Sequence, residues 1–322
     1  MPTTLSTGGA LEYRALTLAD RTEWARLLAI TFDRTPDQME RLLDWFHAGF
    51  PLVTWGAWDG NRLVAQYNCR LLELEVPGHA EPIPAGMGLN MAVDSEYRGR
   101  GLLNTVATPV HEEIARRGCV AGVGFSSVGG LAVTRSSGSY AYRVLGPMTS
   151  TVTLLVRRRD RDGLELTSTW PTGRIDLARR TGDLVRYPVS EASLRHRFAE
   201  HPFRQYTFGA WREGDVIRGL TVHRDIRLRG LPAVALLGAY GAELDELLVR
   251  WASAVRARGR AIVHTVTSPQ ATLRSAVRRL GPSVVVPISR QRYHLIARGL
   301  RDDAPAALFE LDRWDCSGGD IL

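Results

Sequence analysis

The stretch NMAVDSEYRGRGLLNTVATPV (Asn90–Val110) sets an apolar run, a charged turn, an Arg-Gly-Arg-Gly sequence and a helix-like segment in series. Gly99 and Gly101 let backbone N–H groups approach a ligand with no side chain in the way. A helix starting after Gly101 adds unpaired N–H donors and a partial positive charge. Strand, glycine turn and helix in this order make an anion site, and a pyrophosphate fits it best. The same residues also read as a tight strand-to-helix turn with two surface arginines, Arg98 and Arg100. The stretch is not a P-loop, since no Gly-Lys-Ser/Thr follows. It is not a dinucleotide fingerprint either, since Asn104 stands where the third glycine belongs.

Composition narrows the setting. A chain of 322 residues is long enough for two ordinary domains, and its 44% hydrophobic content supports a sizeable core. The net charge is +7, and all 41 basic residues are arginine. These are scattered, with the densest run at Arg157–Asp162, so the charge does not mark a nucleic-acid protein. A modest positive field suits a small anionic ligand. The lack of lysine excludes lysine nucleophiles and bases. Cys69, Cys119 and Cys316 form no CxxC and read as reduced thiols. The start of the chain lacks the pattern of a signal peptide, and no apolar run reaches 18 residues, so the expected setting is soluble and cytoplasmic, with no membrane partner. No metal site is expected from the spacing of the eight histidines.

Around the opening stretch, helical periods run over Leu18–Phe32, with Thr17 as cap, and over Pro36–His47. Strands are expected at Val53–Trp58, Arg62–Arg70, Leu71–Val76, Ala85–Val93 and Val120–Phe125, with a helix over Leu102–Arg117 that Pro109 should kink. Three landmarks recur in the same order. The GAW of His47–Val64 returns in Ala199–Ile217. A helix closed by arginines and glycine ends at Gly118 and again at Gly259. Leu-Gly-Pro occurs at Leu145–Pro147 and Leu280–Pro282. Their order argues for a duplicated unit. The expected division is 1–155, a charged connector over 156–185, a second unit over 186–300 and a tail over 301–322.

VDSEYRGRGL resembles motif A of the GNAT (Gcn5-related) N-acetyltransferases, Arg/Gln-x-x-Gly-x-Gly/Ala. Arg98, Gly101 and Leu103 occupy its slots, and Leu103 departs from the small residue of the pattern. Gly86–Val93 matches the strand before that motif, Leu145-Gly146 the family's closing Leu-Gly, and Tyr142 the tyrosine common just before it. The resemblance covers about residues 11–150, and the duplicated layout is similar to the tandem members of the family. It implies an α/β (α+β) fold with two GNAT-like domains, each a mixed, mostly antiparallel sheet flanked by helices. The second would be a degenerate scaffold, because Gly238–Leu248 carries Glu243, Asp245 and Glu246 where the first unit has arginines.

The same resemblance implies acetyl-CoA as acyl donor and direct attack by an amine. The backbone of Met91, Ala92 and Val93 would hold the pantetheine arm, and Arg98, Gly99, Arg100, Gly101, Leu102 and Leu103 the pyrophosphate. Tyr142 would be the general acid, with a core or rim tyrosine as the plain alternative. Base candidates are Glu73, Glu75, His47, His79, Asp94 and, as in some tandem relatives, the carboxylate at Leu322. Asp33, Asp37, Glu40 and Asp44 would border the acceptor site, with Asp33, Asp37 and Glu73 the residues expected to meet a cationic amine. The acceptor reads as a small-molecule amine. The rivals are an aminoacyl-tRNA-dependent or other non-CoA transferase on the same fold, and a non-catalytic acyl-CoA-binding protein. A serine hydrolase is excluded by Val128, which breaks GxSxG at Gly124–Val128.

Overall fold

The computed structural model describes residues 10–127, 130–131, 142–156, 163–177, 182–286 and 293–321. Helix α1 (Arg21–Phe32) follows a short turn, Leu18–Asp20, that Thr17 and Asp20 close as a capping box. A second box, Thr35 with Gln38, starts α2 (Pro36–Gly49), with Pro36 in the first turn, where no N–H is needed. Strands β1 (Glu12–Ala15), β2 (Leu52–Asp59), β3 (Arg62–Leu74), β4 (Ile83–Val93), β5 (Ala121–Ser127) and β6 (Arg143–Pro147) enter the first sheet. The expected pair Arg62–Arg70 and Leu71–Val76 is one long strand, β3, because neither glycine nor proline interrupts it. Helix α3 (Leu102–Arg116) continues through Pro109 and packs on β2, β3 and β4.

The second sheet takes β7 (Thr149–Leu154), β8 (Leu164–Thr167), β9 (Arg174–Ile175), β10 (Thr207–Glu213), β11 (Val216–Leu228), β12 (Leu231–Gly241), β13 (Ile262–Thr267) and β14 (Ser283–Val285). The last strand, β15 (Tyr293–Gly299), returns to the first sheet. The orders are β1-β2-β3-β4-β5-β15-β6 and β8-β10-β11-β12-β13-β7-β14, with β9 beside β11. They correspond strand for strand. Register shifts also recur, at Ala57/Trp58 within one GAW and at Trp211/Arg212 at the end of the other.

The boundaries expected from sequence do not fall where the sheets divide the chain. β7 belongs to the second sheet between β13 and β14, while β15 fills the same slot in the first, between β5 and β6. The cause lies at Met148. It alone separates β6 from β7, too little for even a two-residue hairpin, so the chain runs straight from one sheet into the other. Nor is 156–185 only a connector: β8 pairs with β10 as the edge of the second sheet, and β9 lies beside β11. Arg157–Asp162 lies outside the described residues.

Helix α4 (Glu191–Leu194) widens into the turn Arg195–Ala199 and docks on α2. There His196 stacks on Trp45 at 5.1 Å, and the Trp45 Nε1 donates to the His196 carbonyl at 3.0 Å. Helix α5 (Leu244–Ala257) buries Trp251 against the second sheet, next to α6 (Thr272–Arg278). Trp314 anchors the tail. It is fully buried, with Nε1 donating to the Leu308 carbonyl at 3.3 Å. Cys69, Cys119 and Cys316 are unpaired and buried. Among the described residues no helix is long and apolar enough to cross a membrane.

Candidate active site

β4 pairs with β5 in parallel only over Ala85–Met87 and Ala121–Val123, after which the two strands part. On its other side β4 carries a bulge. The register to β3 shifts between Gln66 and Asn68, leaving Asn90 at φ +43°. The buried Gln66 amide donates to the Asn90 carbonyl and holds that turn. The parting strands open a cavity of about 350 Å³. Its walls come from Met87–Met91 of β4 and Val123–Ser127 of β5, with Tyr67, Tyr142 and Phe32. From far along the chain, Tyr293 and Ile296 of β15 and Ile321 of the tail complete it.

At the end of β4 the chain turns through Asp94, buried and ion-paired to Arg62 at 2.8 Å. Arg98 Nε reaches the Val93 carbonyl at 3.3 Å, and Arg100 donates to the Glu96 carbonyl at 3.1 Å while lying over the Tyr97 ring. Gly99 and Gly101 sit at φ +77° and +74°, a backbone region that favours glycine, and a Cβ on either would meet only open space. The backbone shape, not crowding, therefore requires glycine here. Gly101 is the helix N-cap of α3 with no side-chain cap, so the first turn at Leu102 and Leu103 presents backbone N–H groups outward. The arrangement can bind a phosphate group by backbone donors and dipole, with the two guanidinium groups alongside.

Tyr142 lies at the wall of the cavity. Its hydroxyl is 3.0 Å from the Tyr67 hydroxyl and 3.2 Å from His111 Nε2. All three side chains are buried. A Cβ on Gly88 would stand 2.5 Å from the Tyr67 hydroxyl, and one on Gly122 2.6 Å from that of Tyr142, so glycine on both parting strands makes room for the pair. Tyr67 and His111 were not legible as site residues. The signal was those glycines inside two strands, where a close approach is the usual reason for glycine.

Met91 lines the cavity, while Ala92 is buried and Val93 half-buried at the end of β4. Asp33, the left-handed cap of α1, adjoins Phe32 at the cavity, whereas Asp37 is exposed in the first turn of α2. Glu40 and Asp44 form ion pairs with Arg21, a solvated helix face. Glu73 does not join them. It lines a separate cavity between α2 and α4, because the direction of its strand carries it away from the parting of β4 and β5. Among the other base candidates, Asp94 is held by arginine, Glu75 lines a third cavity near the tail, and neither His47 nor His79 lines the first. Burial pulls the His47 pKa down. Leu322 lies outside the described residues, as does most of Ser126–Tyr140, expected to cover the acceptor.

The corresponding place in the second sheet is closed. β12 and β13 also pair over three positions, Ala233–Ala235 with Ile262–His264, and then part. Ser317 of the tail bridges to Thr267, and Gly318 packs between Leu237 and Val266.

Residues 12–138 match the family model of the acetyltransferase (GNAT) domain. No curated protein matches by sequence. Solved structures share the fold at low identity. A GCN5-related N-acetyltransferase from Anabaena variabilis superposes with a TM-score of 0.64 at 11% identity, over 91% of this chain and 73% of that one. Eis1 from Mycobacterium abscessus gives 0.61 at 16%, over 92% and 74%. A probable N-acyltransferase from Enterococcus faecalis gives 0.61 at 12%, over 91% and 73%. The first unit matches the GNAT acetyltransferase domain, and the chain as a whole shares the fold of these structures, two mixed sheets flanked by helices.

Proposed function

We propose that the protein is an N-acetyltransferase that moves the acetyl group of acetyl-CoA to a small-molecule amine by direct attack. The observation that carries this reading is the juxtaposition of the parted β4 and β5 with the Arg98–Gly101 turn. One offers a slot lined by unpaired strand backbone, the other an anion cradle at its mouth. The fit has a further sign: Asn90 lines the slot, and its buried Nδ2 has no hydrogen-bond partner among the described residues. Acetyl-CoA, when bound, supplies the activated thioester. The residues around Met91 hold the pantetheine arm by strand-like hydrogen bonds, and Gly99 to Leu103 hold the pyrophosphate. The amine nitrogen forms a bond to the acyl carbon as the carbon–sulfur bond breaks. Tyr142 gives its proton to the departing sulfur, and its link to Tyr67 and His111 keeps the hydroxyl oriented. The attacking nitrogen loses its proton to a base beside the tail, whose Ile321 reaches the cavity. Asp33, beside Phe32 at the rim, favours a cationic acceptor, and Asp37 adds negative charge further out.

The test is turnover of acetyl-CoA against a panel of amines, with binding measured in parallel. Thioester loss matched by acetylated amine supports the reading. Binding without turnover makes the protein an acyl-CoA carrier. Salt-sensitive tRNA binding with no CoA binding would replace the reading with a tRNA-dependent one.

A further inference from the structure

Arg70 points from β3 toward α2, and only 6% of it is exposed. It forms no ion pair among the described residues, and its Nε has no hydrogen-bond partner. Its guanidinium lies 4.5 Å over the Phe50 ring. Burial, and then the nearby Arg197, push its pKa down to about 10, against weaker pulls from Tyr187 and Asp320. Burying a cation without an ion-pair partner is costly, so its persistence calls for a reason. A second polar group stands close by in the same condition: Tyr187 is buried, and its hydroxyl has no hydrogen-bond partner among the described residues.

Both residues line one cavity of about 470 Å³ between the end of α2 and α4. Phe50, Leu71 and Leu72 supply apolar walls, and the exposed Glu73 sits at the rim. His196 is already engaged, with Nε2 at the Trp45 carbonyl and Nδ1 at Glu200. No residue lining this cavity lines the cleft between β4 and β5.

We propose that this cavity is a second ligand site, built to take a small carboxylate with an apolar body. A planar guanidinium matches the two oxygens of a carboxylate, and the Tyr187 hydroxyl adds a third donor. The carboxylate at Glu73 disfavours a dianion such as phosphate. Phe50 and the leucines accept hydrocarbon, and the volume is that of an ordinary small-molecule pocket. The inference stands apart from the acetyl-transfer reading, because it uses neither the cleft nor the glycine turn.

Octanoate and 4-phenylbutyrate are the probes, with octanamide and inorganic phosphate as controls, read by calorimetry and thermal shift on the full chain. One acid should bind per chain, with octanamide and phosphate weaker by about tenfold or more, on the order of 1.4 kcal/mol. Arg70→Met should abolish binding while its ligand-free melting temperature stays level or rises, since an uncompensated charge is gone. Ala192→Phe fills the cavity from its exposed wall and should abolish binding without touching Arg70. Saturating acetyl-CoA should not displace the acid. The proposal is overturned by absence of binding to both acids, by equal binding of octanamide, by binding retained in either folded variant, or by displacement with acetyl-CoA.

Discussion

The starts of α3 and α5 occupy the same place in their two sheets, each following a strand that has just parted from its parallel neighbour. At α3 the turn is Arg98–Gly101, with two left-handed glycines and no side-chain cap. At α5 the N-cap is Glu243, and Asp245 and Glu246 fill the first turn. Those carboxylates already satisfy the positive end of the helix. They are also committed, Asp245 to Arg279 and Glu246 to Arg250. The adjoining cleft holds the protein's own Ser317 and Gly318. The lesson is that strand order alone does not make an anion site. Open backbone donors do, and a few side chains decide whether they stay open.

The sharpest way to break the comparison is to give α3 the chemistry of α5. Gly101→Glu puts a carboxylate at the cradle and a side chain at φ +74°. Acetyl-CoA affinity should fall by more than about a hundredfold, nearly 3 kcal/mol, in a variant that still folds. Calorimetry on the wild type should find one acetyl-CoA per chain. Unchanged affinity in the variant, or two sites in the wild type, would end the asymmetry argued here.

Removing Gly318–Leu322 takes Gly318 out of the second cleft and withdraws Ile321 from the first. Turnover should fall by about two orders of magnitude, as for loss of a general base, while the stoichiometry stays at one, because the acidic turn of α5 remains. Full activity of the truncated enzyme would remove the tail from the chemistry.

Tyr142→Phe should lower kcat by more than about tenfold with nearly unchanged acetyl-CoA affinity. If kcat holds, Tyr142 is a packing residue whose hydroxyl serves Tyr67 and His111.

The smallest effect concerns the second unit as scaffold. Burial lowers the His223 pKa from 6.5 to about 4, and its Nδ1 accepts from Trp251 Nε1 at 3.1 Å. Below pH 6.5 the unfolded chain takes up a proton that folded His223 refuses until about pH 4. The stability from this group is therefore complete above pH 6.5 and lost as the pH falls toward 4, by up to about 3 kcal/mol. His223→Gln should show a melting-temperature deficit at pH 7 that shrinks by pH 4.5. A constant deficit across that range would mean that His223 contributes packing alone.

Much of this was legible locally. Thr35 with Gln38 and Pro36 writes the start of α2 into four residues, and the glycine turn announces α3 in the same way. Capping and left-handed turns use neighbours in the chain, so their signals sit side by side. The repeated GAW and Leu-Gly-Pro likewise marked strands that occupy matching places. The candidate site was legible only in its turn, in β4 and in Tyr142. Its other walls arrive from β15 and the tail, and no pattern near Asn90 records a partner two hundred residues away.

The sequence by itself determined the glycine turn before α3, the helix starts, the two-sheet class and the acidic turn at the start of α5. Only the tertiary structure decided that β7 and β15 change sheets, because strand pairing is a long-range choice made where a single residue, Met148, leaves no room to turn back. It alone placed Glu73 away from the cleft and left Arg70 buried with no ion pair among the described residues. A side chain's neighbours across a sheet or between two packed units depend on register and docking, and neither is written into its own stretch of chain.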